Sequence, residues 1–149
     1  PGTGAFSQEI QRRLAGRGRH LAVEVNPRMA RELAARCGGV ELIEGDAAEL
    51  AELLSARGVA VVDVMISGLP WAVFAAEHQQ AVLDGVRAVL RPDGVFATFT
   101  YTHARLLPPA RAFRRRLAAT FEEVVAGRTV WRNLPPALVL HARRPRARS

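Results

Sequence analysis

Short apolar runs alternate with helical-period segments from His20 to Ala142 of this 149-residue chain, and this alternation restricts the fold more than any other feature. His20 to Val25, Val40 to Glu44, Val59 to Ile66 and Val95 to Tyr101 read as strands; the third is apolar almost throughout, as a central parallel strand would be. Between them, Arg28 to Arg36 carries Met29, Leu33 and Cys37 at helical spacing. Ala47 to Arg57 sets Leu50, Leu53 and Leu54 on one face, and Val73 to Leu90 is the longest helix expected. The punctuation agrees. Asn26-Pro27 supplies a cap and a first-turn proline, Gly38-Gly39 closes that helix, and Arg91-Pro92-Asp93-Gly94 is a strong turn signal. Pro108-Pro109 opens a basic helix to Ala119, and Phe121 to Trp131 with Ala137 to Ala142 reads as a closing antiparallel pair. Strand and helix in turn require a mainly parallel sheet covered on both faces. The expectation is one α/β domain over residues 1–142, a three-layer α/β/α sandwich with an antiparallel C-terminal strand. Residues 143–149 have no apolar face and are expected to form a disordered basic tail.

Charge narrows the partners. All 21 basic residues are arginine, against 14 acidic ones, giving a net charge of +7 and a sequence pI near 11.4. Such a chain is drawn to polyanions, whether nucleic acid or an anionic membrane face; plain drift toward arginine is the competing explanation. Without lysine there is no P-loop lysine and no Schiff-base chemistry. His20, His78, His103 and His141 are scattered, and with Cys37 the single cysteine no metal-ligand spacing arises. One cysteine and no visible signal peptide point to a reducing, cytoplasmic setting. The longest apolar stretch, Val59 to Ala76, is broken by Asp63 and by Ser67-Gly68-Leu69-Pro70, whereas a membrane span needs about 20 unbroken apolar residues.

In a sheet of this kind, ligands sit beyond the carboxyl ends of the strands. The segments placed there are Pro1 to Gly4, Glu24 to Asn26, Gly45 to Ala47, Ser67 to Trp71 and Tyr101 to His103. Gly2 and Gly4 allow close backbone approach, and the helix after them offers N-terminal amides. Glu24 can accept from both hydroxyls of a ribose, or be an exposed carboxylate at a helix start. Asp46 can accept from an adenine amino group, or cap the helix beginning at Ala47. Trp71 can hold a cation on its indole face, a contact worth about 0.5–2 kcal/mol, or stack on a base, or plug the end of the sheet. Together the acids and glycines suggest an adenosine-containing ligand. A glycine turn of this type follows a buried strand, and none precedes Pro1, so the first strand is expected to be missing.

These residues resemble a class I S-adenosylmethionine-dependent methyltransferase over nearly the whole chain. Pro1-Gly2-Thr3-Gly4 is similar to the latter half of that family's glycine-rich first motif. Glu24 matches its ribose-binding acid and Asp46 the acid beside its adenine. Leu90-Arg91-Pro92-Asp93-Gly94 resembles its leucine-x-proline-glycine-glycine turn, with Asp93 in place of one glycine. The resemblance implies a Rossmann-like fold and S-adenosyl-L-methionine held by Gly2, Thr3, Gly4, Glu24, Val25, Asn26, Asp46, Ala47 and Ser67. Ser67-Gly68-Leu69-Pro70 and Val130 to Ala137 look like bacterial phospholipid N-methyltransferases, which methylate phosphatidylethanolamine. A phosphatidylethanolamine-like head group would then meet Ser67, Pro70, Trp71 and Tyr101, with His103, Glu77 or water as the base; Arg111, Arg114 and Arg115 would meet lipid phosphate or form a solvated helix face. Peripheral attachment at the inner membrane would follow. The related ribosomal RNA adenine dimethyltransferases carry asparagine where this chain has Ser67, which disfavours RNA adenine N6-methylation. A chain that binds the donor without turnover is the third reading.

Overall fold

The computed structural model describes residues 4–147. Strands β1 (Leu21–Glu24) and β2 (Glu41–Glu44) pair in parallel. A second sheet has the order β3 (Val62–Ser67), β4 (Leu90–Tyr101), β6 (Ala137–Pro145) and β5 (Phe121–Ala126), parallel at β3–β4 and antiparallel around β6. Helices α1 (Ala5–Leu14), α2 (Pro27–Arg36), α3 (Leu50–Ser55), α4 (Ala76–Val89) and α5 (Pro108–Thr120) connect the strands.

Period-two alternation sorts the helices onto two faces. On β1, Ala22 packs with Leu33 and Cys37 of α2. Its neighbours Leu21 and Val23 point the other way, into the main core with Leu50 and Leu54 of α3, Leu83 and Val86 of α4 and Phe113 and Leu117 of α5. On β4, Phe96 and Thr98 are fully buried, while Phe99 meets Phe6 of α1. Helices α1 and α2 thus cover one face and α3, α4 and α5 the other, which makes the molecule a Rossmann-like three-layer sandwich. Both strand groups contribute to one core.

Several sequence expectations need correction. The helix expected from Val73 begins at Ala76, after a 3-10 turn at Trp71–Val73, and the one expected from Ala47 opens with a 3-10 turn at Ala47–Glu49. Arg91 to Gly94 does not separate two elements but bulges out of β4. Val62 pairs with Leu90 and Val64 with Val95, and Arg91 clamps the bulge through Asp63 and Asp93. The basic tail is ordered further than expected. Strand β6 runs to Pro145, and Arg146 donates its amide to Thr120 and its Nε to the Phe121 carbonyl. Backbone pairing with β5 and α5 explains this, since a strand edge needs no apolar face to be hydrogen-bonded.

Candidate active site

The carboxyl ends of β1, β2, β3 and β4 lie at one rim, and contacts run from segment to segment along it. At β1, Glu24 is buried and its Oε1 accepts the Asn26 amide at 3.0 Å. The Asn26 side chain accepts the amides of Arg28 and Met29, fixing the start of α2, while Val25 is exposed. The Gly45 amide donates to the Glu24 carbonyl at 3.2 Å, which sets the β2 end beside the β1 end. Asp46 caps the turn at Ala47 through the Ala48 amide at 2.9 Å and lies 3.5 Å from His78 Nε2.

Across the rim, Ser67 Oγ accepts the Leu69 amide at 3.3 Å and shapes the Ser67–Pro70 turn. Gly68 sits against Phe99, whose ring meets Phe6 and Tyr101. Tyr101 is 38% exposed and stacks on His103 with ring centroids 5.8 Å apart. Gly4 opens α1 at φ 93, where an added Cβ would stand 2.9 Å from Leu33 Cδ1. Glycine there is required by backbone conformation and by packing on α2. Gly2 and Thr3 lie outside the described residues. Arg111 and Arg115 are exposed on α5 and Arg114 half-buried, while Pro70 and Glu77 are exposed.

Trp71 is the correction at this site. Its indole is 4% exposed and stacks on Phe113 with centroids 4.5 Å apart. Nε1 donates to the buried Thr98 Oγ1 at 3.0 Å, and Phe74 and Phe96 meet it edge-on. A ring enclosed in this way cannot hold a head-group cation; it plugs the end of the sheet. Gln79, also buried, donates Nε2 to the carbonyls of Trp71 (2.7 Å) and Phe74 (3.1 Å), pinning the turn that carries the indole. Sequence reasoning passed over His78 as one of four scattered histidines. Its position in the first turn of α4, a rim-facing helix start, was the available signal. A groove of about 350 Å³, lined by Asp84, Arg87, Leu90, Pro92, Pro145 and Arg146, lies at the other end of the strands and holds none of these residues.

The rim fits an adenosine-bearing donor. A buried carboxylate at the end of β1 can take ribose hydroxyls, and a half-buried one at the end of β2 can take an amino group. Fold and rim define a class I methyltransferase. The methyltransferase domain family matches residues 1–94, and the chain belongs to it; its methyl donor is S-adenosylmethionine. The chain is 32% identical over 142 residues to the ornithine lipid N-methyltransferase of Singulisphaera acidiphila, an alignment spanning 91% of this chain and 68% of that one. In structure it is similar to the N-methyltransferase NodS of Bradyrhizobium japonicum, with TM-score 0.70, 12% identity, and coverage of 97% of this chain and 82% of that one. It is likewise similar to Aeropyrum pernix fibrillarin with natively bound S-adenosyl-L-methionine, with TM-score 0.69, 19% identity, and coverage of 95% and 62%.

Proposed function

We propose that the chain methylates the amine of a lipid head group, of the ethanolamine or ornithine type. The observation that carries this reading is the 32% identity to a lipid-amine methyltransferase, which extends over 91% of the chain. It therefore reaches past residue 94, where the methyltransferase domain match stops, into the segments beside the acceptor. Ser67 agrees with it, because a hydroxyl replaces the amide that would engage an adenine amino group.

When bound, S-adenosylmethionine supplies a methyl group on a sulfonium, which departs as a neutral thioether as the acceptor nitrogen bonds the methyl carbon. Glu24 and Asp46 hold the nucleoside from its two ends, while Val25, Asn26 and Ala47 contribute backbone and Gly4 lets α1 approach. The Ser67–Pro70 turn and Tyr101 position the amine in line, and alignment of this kind is worth up to about 7–11 kcal/mol. An alkyl ammonium titrates near ~10, as lysine does, so a proton must leave nitrogen before attack. The candidates to take it are His103, which stacks on Tyr101, exposed Glu77, and water.

Methyl-labelled donor tests the reading against dispersed phosphatidylethanolamine, ornithine lipid and a structured RNA. Label is expected in a lipid amine. Label in RNA alone would transfer the activity to base methylation, the alternative that the net charge of +7 favours.

A further inference from the structure

Charge in this protein is divided along the chain. Eleven of the 21 arginines lie beyond Asp93, with only Glu122 and Glu123 of the 14 acidic residues. That arginine-rich part includes Tyr101 and His103, on the proposed acceptor side of the rim. Two of its loops are tied together there. Thr102 donates both its amide (2.9 Å) and its hydroxyl (3.1 Å) to the Pro136 carbonyl, and Val130 donates to Ala137 at 2.7 Å. The paired loops carry large apolar side chains into solvent: Leu134 is 95% exposed, Leu106 and Trp131 76%, and Leu107 52%. Arg105 and Arg132 are exposed in the same loops, and no acidic residue occurs between Asp93 and Glu122 or after Glu123.

Leucine is a poor partner for phosphate or bases, so nucleic acid would explain the arginines and leave the leucines in water. An anionic bilayer uses both. Aliphatic chains and an indole enter the head-group and acyl boundary, while guanidinium groups remain among lipid phosphates. We infer that the loops 102–107 and 130–136 form a docking surface for an anionic lipid membrane, set beside the acceptor rim. This rests on the lipid-amine reading and names the membrane face through which that substrate arrives.

The test is sedimentation of the full chain, without donor, on vesicles of phosphatidylglycerol and phosphatidylcholine in equal parts and of phosphatidylcholine alone. Retention is expected on the anionic vesicles and should fall with added salt. A Trp131→Ala/Leu134→Ala variant should bind them at least about tenfold more weakly. Its melting temperature and its turnover of detergent-dispersed lipid amine should stay at the wild-type level, because both side chains are outside the core. Lipids brominated on their acyl chains should quench Trp131 and spare enclosed Trp71. Equal retention of variant and wild type, equal retention on neutral vesicles, or absence of quenching overturns the proposal. So does a structured RNA whose own binding is lost in the same variant. Failure of the wild-type chain to bind the anionic vesicles, alongside intact turnover of dispersed lipid, removes the surface and leaves the reaction. Vesicle binding without methylation of any lipid amine removes the reaction and leaves the surface.

Discussion

Substituting Trp71 by phenylalanine separates a structural indole from a catalytic one. The phenyl ring keeps the stacking on Phe113, so the change removes two things: the hydrogen bond to Thr98 and the volume of the second ring. Thr98 is 0% exposed, and leaving a buried polar group without its partner costs about 1–3 kcal/mol. The void, at about 24 cal/mol per Å³, adds roughly 1 kcal/mol more. For a domain of this size each kcal/mol moves the melting temperature by about 2–4 °C. A drop of about 4–16 °C is therefore expected by circular dichroism, with donor-product affinity and turnover below the transition nearly unchanged. Thr98→Val should destabilise alone, yet cost little when Trp71 is already phenylalanine, since both polar partners are then gone. A coupling of about 0.5–3 kcal/mol in the double-mutant cycle is the expected signature. A Trp71→Phe protein that melts like wild type but loses turnover would refute the reasoning and return the indole to the acceptor site. Additive effects of the two substitutions would show that the hydrogen bond contributes nothing.

Asp46→Asn should keep the cap on the Ala48 amide, because the amide oxygen can still accept, while removing the carboxylate. Calorimetry with the demethylated donor product is expected to show about tenfold weaker binding, or ~1.4 kcal/mol, and unchanged affinity rejects the adenine contact. His20 supplies a pH test. Burial pushes its pKa below the ordinary histidine value of 6.5, and Gln11 Nε2 lies 3.1 Å from its Nδ1. The unfolded chain then binds the extra proton first, so this contribution is complete above about pH 6.5 and is lost as pH falls through the depressed folded value. Urea midpoints measured between pH 7 and 5 should therefore decline more steeply for wild type than for His20→Gln, and parallel curves would remove His20 from the linkage.

What the sequence disclosed and what it withheld divide along physical lines. The strand–helix alternation, the Asn26-Pro27 helix start and the placement of Glu24 and Asp46 are local signals. Periodicity and turn chemistry report them directly. Trp71 was ambiguous because an indole after a buried strand has the same sequence signature whether it faces a ligand or the core. Only the tertiary partners Thr98, Phe96 and Phe113, 25 to 42 positions away, decide the matter. The ordered segment Arg143 to Arg146 was missed for a related reason: its order comes from backbone hydrogen bonds to β5 and α5, which no side-chain pattern encodes. The bulge at Arg91 to Gly94 looked like a boundary because its turn residues are real, yet β4 resumes its pairing on the far side.

The ion-paired bulge of β4 has a practical consequence. Arg91 ties Asp63 of β3 to Asp93 of the bulge through ion pairs that stay in contact with water. Added salt should loosen this strap while leaving the β3–β4 backbone pairing in place, because exposed charges are screened and strand hydrogen bonds are not.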